Sequence, residues 1–170
     1  MLDIGCGTGK SLPHLRAAVG NTGYIYGVDI SPVMLQKTEQ LREHHHWHNL
    51  ELIEGDATDV MVPAPLDGAL FSFSYNTIPN HSGVLRHVWQ MLRPGGRVVI
   101  VDAKLPPWGR TLLLPFSLWL MKNTLLGNPL IRPWEELRSI TDAFHMEEFQ
   151  FGSYYICCGI KLEPHKRSDR

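Results

Sequence analysis

The sequence predicts an α/β protein built on a doubly wound, seven-stranded, mostly parallel sheet with one antiparallel strand near its C-terminal end. Three observations carry this. Strand-like and helix-like runs alternate through most of the 170 residues, the pattern that lays helices on both faces of a parallel sheet. GALFSFS (68–74) and RVVIVDA (97–103) are apolar enough to be covered on both faces. The closing runs, MEEFQF and YYICCGIKL, are separated by Gly152-Ser153 alone, and so short a connection joins only antiparallel neighbours.

Each element has its own signal. LDI (2–4) leads into a glycine-rich loop, and a helix follows from Ser11 to Val19. YIYGVDI (24–30) is rich in β-branched and aromatic residues and reads as a strand. SPVMLQKTEQLREHHH reads as a helix, with Ser31 as N-cap, Pro32 in the first turn and apolar Met34, Leu35 and Leu41. LELIEGDA is a third strand ending near Asp56, and GALFSFS a fourth. GVLRHVWQMLRPGG places Val84, Leu85, Val88, Met91 and Leu92 at helical spacing before Pro94-Gly95-Gly96 stops the helix. RVVIVDA is the fifth strand, and WEELRSITDAF a further helix ahead of the final pair. The chain reads as one domain over 1–163, with an apolar, proline-rich insertion at about 105–133, partly helical, and a frayed, flexible tail at 164–170.

Bulk composition narrows the partners. Hydrophobic residues are 44% and charged residues 19%, a globular balance. A net charge of −1 supplies no long-range field for nucleic acid or an acidic membrane. The apolar run Thr111–Met121 is interrupted by Pro115 and falls short of the roughly 20 residues of a spanning helix; it suits a buried or membrane-touching helix. Cys6, Cys157 and Cys158 make no disulfide framework, which points to a reducing, cytoplasmic location.

The opening stretch, MLDIGCGTGKSL, admits three loop types. A P-loop needs a glycine five positions before Gly9-Lys10-Ser11, where Ile4 stands. A dinucleotide fingerprint needs a small residue where Lys10 stands. The run does contain D-x-G-x-G-x-G from Asp3 to Gly9, directly after a strand at the edge where open α/β sheets bind ligands. Asp29 ends the second strand, where a carboxylate can accept from both hydroxyls of a ribose. Asp56 ends the third, placed to accept from an exocyclic adenine amine. Three acidic or glycine-rich strand ends then share one sheet edge.

On these residues the chain resembles the class I S-adenosylmethionine-dependent methyltransferases through nearly its whole length, with VDISPVML, EGDATD and LRPGGRVVIVD as further matching segments. The resemblance implies a Rossmann-like fold and S-adenosyl-L-methionine as cofactor. It implies that Gly5, Cys6, Gly7 and Gly9 form the loop against the methionine and ribose part. Asp3 would position that loop and the cofactor's amino group, Asp29 would bind the ribose, and Ile30 would pack on the adenine. Asp56 and Ala57 would hold the adenine edge, and Ser72 to Ser74 would line the site near the reactive methyl. Tyr75 and His81 fall in the segment bordering the acceptor pocket, where either could orient or deprotonate a substrate; a packed tyrosine and a surface histidine explain them as well, and no catalytic residue is assigned. The second half is most similar to the branch that methylates ubiquinone and menaquinone precursors, with phospholipid N-methyltransferases nearby. The expected acceptor is therefore small or lipid-like, with peripheral membrane contact open. The alternative is a cofactor-binding but inactive or truncated module. Related enzymes carry helices ahead of the first strand, whereas here the motif begins at Met1; the expectation is an open site with weak cofactor affinity if the chain begins there.

His44 to His48 (HHHWH) reads as a solvated helix end, since three consecutive histidines cannot converge on one ion. Cys157 and Cys158 read as small strand hydrophobes on opposite faces.

Overall fold

The computed structural model describes residues 1–63, 65–104, 115–116, 119, 127–128, 130–141 and 143–163. Most of the apolar insertion expected at 105–133 and the whole tail expected at 164–170 lie outside the described residues. The ordered elements are β1 (Leu2–Ile4), α1 (Leu12–Val19), β2 (Ile25–Asp29), α2 (Pro32–His44), β3 (Leu50–Glu54), β4 (Leu66–Ser72), α3 (His81–Met91), β5 (Leu92–Ala103), α4 (Pro133–Ile140), β6 (Ala143–Phe149) and β7 (Tyr154–Ile160). They build one seven-stranded sheet in the order β3-β2-β1-β4-β5-β7-β6. The neighbours from β3 through β5 are parallel, and β7 runs antiparallel to both β5 and β6. This is the doubly wound sheet with one antiparallel strand that the alternating pattern predicts.

The chain leaves β1 toward β2 on one side and enters β4 on the other, so the sheet order reverses between β1 and β4. Ligands of open α/β sheets bind outside the strand ends at that place. β1 is central, and Leu2, Asp3 and Ile4 are all fully buried. Leu2, Ile4, Val28, Phe71 and Ile100 share the main core with Val84, Leu85 and Val88 of α3. Leu12 and Leu15 of α1 pack with Ile25 and Leu50 in a second cluster.

Several boundaries differ from the sequence expectation, and three of them have a clear local reason. α3 stops at Met91, and Leu92 already belongs to β5, opposite Leu66. Gly68 pairs with Arg97, so Arg93-Pro94-Gly95-Gly96 bulges out of the ladder rather than simply ending a helix. Lys161 secures the bulge: its backbone exchanges hydrogen bonds with Gly95 and Gly96, and its ammonium donates to the carbonyls of Trp89, Gln90 and Leu92. A cation on these terminal carbonyls satisfies groups the helix leaves open. α4 ends at Ile140 because Thr141 Oγ1 donates to the Ile160 carbonyl (2.7 Å), turning the chain onto β7. Ala143 and Phe144 therefore start β6 instead of finishing the helix. The final hairpin turns through Gln150–Ser153, with Gln150, Phe151 and Gly152 at positive φ, a longer connection than Gly-Ser alone.

The histidine run ends α2, and His45 stacks on Trp47 with ring centroids 4.9 Å apart. Among the described residues no three His, Cys, Asp or Glu side chains gather as a metal site. Cys157 is buried and Cys158 half-buried, and both are free thiols. No helix among the described residues is long and apolar enough to cross a membrane.

Leu137 is the buried contact of α4 with the sheet, and a methyl on Gly159 would sit 2.8 Å from its Cδ1. Leu137→Ala should cost about 3 kcal/mol through lost burial and a residual cavity. Urea unfolding reads this as a lower midpoint with an unchanged slope; an unchanged midpoint would show that α4 docks by other contacts.

Candidate functional site

The loop after β1 is held in place by β2. Gly5 and Cys6 donate to the Val28 carbonyl at 2.8 and 3.0 Å. Gly5 has φ +69, and a methyl there would lie 2.5 Å from Ser74 Cβ, so the loop and the post-β4 segment touch only because no side chain intervenes. Gly7 also has positive φ, but a methyl there would meet nothing within 4 Å. Its open side faces no protein atom, as a loop that receives a ligand requires. Gly9 meets Thr38, Leu12 and Leu41, which seats α1 and α2 against the loop.

Asp29 closes this arrangement. One carboxylate oxygen accepts from Gly7 N at 2.7 Å and the other from Ser31 N at 2.9 Å. Each oxygen keeps acceptor capacity for a further donor. Thr38 Oγ1 donates to the Gly7 carbonyl at 2.7 Å, so α2 grips the same peptide from the other side. Ser31 caps α2 as the sequence predicts, accepting from Met34 N. Asp56 lies in the turn after β3, accepts from Thr58 N at 2.8 Å, and is held below the usual carboxylate range by its hydrogen bonds from Thr58.

A cleft of about 150 Å³ opens at this edge. Gly5, Asp29, Ile30, Asp56, Ala57 and Ser74 all line it, so the structure brings six of the sequence-predicted residues together. Ile30 is 71% exposed, an apolar side chain presented to the space a flat ring would occupy. Gly7 and Gly9 shape the loop without lining the cleft. Cys6 turns inward beside Gly27, and burial above all pushes its thiol up to about 12, so it is no nucleophile at neutral pH. Ser72 is the half-buried last residue of β4 and does not reach the cleft. Phe73 turns the chain at φ +54, and Ser74 takes the place in the wall, its hydroxyl donating to the Ile4 carbonyl. Thr77, Ile78 and Pro79 complete that wall; sequence reasoning did not single them out, and their position just after a strand at the switch point is the only signal they carry.

Asp3 lies beneath the loop, fully buried. Its Oδ2 accepts from Ser11 Oγ, while Oδ1 has no partner. Burial raises this carboxyl to about 6, Asp29 adds to the rise, and the Ser11 hydrogen bond opposes it. A buried carboxylate oxygen left open is a receptor for a cationic donor.

Residues 1–96 match the family profile of the methyltransferase domain, and the chain belongs to that family. A demethylmenaquinone methyltransferase of Geobacillus sp. (strain WCH70) is 34% identical over 106 residues, covering 62% of this chain and 45% of that protein. The chain thus spans about half the length of the curated relatives it matches. Its fold is that of S-adenosylmethionine-dependent methyltransferases: a solved example from Aquifex aeolicus superposes with a TM-score of 0.69 at 18% identity, covering 95% of this chain and 81% of that one. The 4+2 cyclase SpnF shares the fold equally well, with a TM-score of 0.73, 18% identity and coverage of 96% and 74%. The fold alone therefore does not choose a reaction.

Asp3 supplies a pH signature. Unfolded, an aspartate titrates near 3.9; folded, this one titrates at about 6. The folded form binds its proton more tightly, so stability is fullest below about pH 4, falls as pH rises through 4 to 6, and levels above. Across that window the wild type should lose up to about 3 kcal/mol relative to Asp3→Asn. Chemical denaturation of both proteins from pH 4 to 7 checks it; parallel profiles would show that Asp3 is ionised without penalty.

Proposed function

We propose that the protein binds S-adenosyl-L-methionine across the C-terminal ends of β1, β2 and β3 and transfers its methyl group to a lipophilic, quinone-type acceptor. The observation that carries the cofactor assignment is the set of three aspartates at one sheet edge, above all the unpartnered Oδ1 of buried Asp3 under a glycine loop open at Gly7. These residues fit the cofactor. Asp3 suits the ammonium of its amino-acid end, and Asp29, already oriented by two backbone donors, suits the ribose hydroxyls. Ile30 and Ala57 offer apolar faces to a purine, and Asp56 an acceptor at its edge.

When bound, the cofactor supplies an electrophilic methyl on a positively charged sulfur. The chain's own work is then positional. The glycine loop and Asp29 fix the donor, and the wall from Ser74 to Pro79 sets the side from which a nucleophile approaches. Holding the two reactants in line and excluding water supplies most of the acceleration. Membership of the methyltransferase-domain family and the demethylmenaquinone methyltransferase relatives favour this reading over a cofactor-binding module without turnover. The relatives' name also supports the quinone-type acceptor. We further propose one catalytic domain over 1–163 in a reducing, cytoplasmic setting, in keeping with three free thiols, with no nucleic-acid partner and with Thr111–Met121, mostly outside the described residues, as the segment to meet a membrane surface.

The direct assay is transfer of a labelled methyl to demethylated naphthoquinols, phosphatidylethanolamine and small amines. Turnover of the ring acceptors is the expected result, and turnover of amines alone would replace the acceptor class. Asp29→Asn keeps the side chain's size but loses its charge. It should weaken S-adenosylhomocysteine binding about tenfold or more, the loss of a charged hydrogen bond, and lower the melting temperature, because its amide nitrogen faces one of the two backbone donors now held by Asp29. Equal affinity in calorimetry would remove Asp29 from the ribose role.

A further inference from the structure

The segment that gives Ser74, Thr77, Ile78 and Pro79 to the cleft runs two residues further, to His81, and belongs to a polar cluster outside the cleft lining. His81 opens α3, and its Nδ1 lies 3.2 Å from Glu136 Oε1 of α4. Glu136 Oε2 accepts from the Tyr75 hydroxyl at 2.9 Å and from the Ser82 hydroxyl. The Ser82 oxygen is in turn 3.2 Å from His81 Nδ1. Both hydroxyl protons point at the carboxylate, so the groups that face Nδ1 are acceptors only. Nδ1 therefore carries a ring proton, and Nε2, which has no hydrogen-bond partner among the described residues, is the basic nitrogen of the neutral ring. This tautomer follows from the network's donor and acceptor count.

We propose that His81, oriented by Glu136, is the proton acceptor for an ionisable ring hydroxyl of the methyl acceptor, which makes a phenol or dihydroxy-aromatic ring the substrate class. The inference rests on the methyl-transfer reading above. Tyr75 cannot fill the role: burial drives its phenol far above the ordinary tyrosine value, and the adjacent Glu136 pushes the same way, so it stays a neutral donor. The charged neighbours of the cluster are Glu136 and Arg86, the latter bearing on Tyr75. His81 is different, with its side chain 20% exposed and one nitrogen open.

A second observation points to a polar ligand beside the same cluster. Asn76 Oδ1, Asp102 Oδ2 and the Tyr155 hydroxyl are buried without partners. Asn76 follows Tyr75 directly, and Asp102 pairs with Tyr155 across β5 and β7. Burial raises the Asp102 carboxyl above the ordinary aspartate value. Fully buried Tyr155 is held neutral, chiefly by burial. A ring carrying two oxygen substituents would find a base at one and polar partners at the other.

The step balances without an outside oxidant. His81 Nε2 takes the hydroxyl proton, and the electron pair left on oxygen, shared into the ring, forms the bond to the methyl carbon. The S–C bond pair stays on sulfur, leaving neutral S-adenosylhomocysteine. Where a ring carbon is the attacking atom, the hydrogen on that carbon then leaves as a proton and the hydroxyl is restored. A hydroxyl-bearing acceptor makes use of such a base, whereas a neutral amine attacks with its own lone pair.

The test uses 4-nitrocatechol, whose ionised and neutral forms differ in colour, and needs no turnover. Calorimetry first measures S-adenosylhomocysteine binding to wild type, His81→Gln and Glu136→Gln, and thermal melting confirms that each is folded. The probe is then titrated in at a pH where its free form is mostly neutral. Bound to wild type it should show about tenfold more ionised form than in solution, equivalent to one pKa unit. His81→Gln should bind S-adenosylhomocysteine as wild type does and leave the bound probe neutral, and added imidazole should restore part of the ionised signal. Glu136→Gln should fall between. A bound probe equally ionised in wild type and His81→Gln overturns the proposal, as does failure of the folded wild type to bind the probe. Failure to bind S-adenosylhomocysteine instead counts against the cofactor reading, and the probe titration without it still decides on His81.

Discussion

The cleft exists because one carboxylate ties two chain segments together. Asp29 accepts from Gly7 in the loop after β1 and from Ser31 at the start of α2. Those two donors would otherwise be open at the end of a parallel sheet, where no strand follows to satisfy them. The tie draws the loop over the buried Asp3 and leaves the outer side of Gly7 free. From the other side Thr38 holds the Gly7 carbonyl, and Ser74 holds the carbonyl of Ile4. A ligand entering here meets donors and acceptors already oriented, so little ordering remains to be done on binding.

The opposite half of the edge is organised by α4 rather than by a loop. Glu136 projects from its first turn onto Tyr75, His81 and Ser82, which all derive from the segment after β4. Trp134, two residues earlier, packs edge-on against Tyr155 at 5.1 Å and receives the Lys104 ammonium over its face at 5.0 Å. Leu137 anchors the helix behind them. Thus a single short helix carries both the packing that fixes it and the carboxylate that orients a histidine. Sheet strand β7, inserted antiparallel between β5 and β6, is what brings Tyr155 beneath that helix.

The sequence was legible where a residue acts through its own neighbours. Asp29, Ile30, Asp56 and Ala57 follow their strands at once, so recognising the strand places the side chain on the binding edge. Gly5 and Gly9 were legible as turns, but the partners that forbid a side chain there, Ser74 and Thr38, come from distant parts of the chain. Ser72 and Ser74 show the limit: the strand pattern runs through both, and only the positive φ of Phe73 puts the second into the cleft. The same limit hid the bulge at Arg93–Gly96, since a Pro-Gly-Gly run signals a stop whether or not pairing resumes one residue after the helix. The Glu136–His81 pair had no sequence signal at all, because it spans two helices more than fifty residues apart and exists only once α4 docks.

Both halves of the edge keep polar atoms that the fold buries and does not satisfy. Asp3 Oδ1 lies on the cofactor side of the switch between β1 and β4, and Asn76 Oδ1, Asp102 Oδ2 and the Tyr155 hydroxyl lie on the other. Each such group costs about 1–3 kcal/mol relative to a partnered one, and hydrophobic replacements of similar shape would remove that cost. Four of the five unpartnered buried side-chain atoms among the described residues are these, so the deficit is concentrated rather than scattered. A fold that carries its unsatisfied groups at one sheet edge gains from whatever polar molecule fills them. The two sets differ in composition: a single carboxylate oxygen on one side suits a cation, and an amide oxygen, a carboxyl oxygen and a tyrosine hydroxyl on the other suit a hydroxyl-bearing molecule. The proposed methyl transfer brings two different reactants to this edge, and under it the donor's ammonium end takes one side of the switch point and the acceptor ring the other.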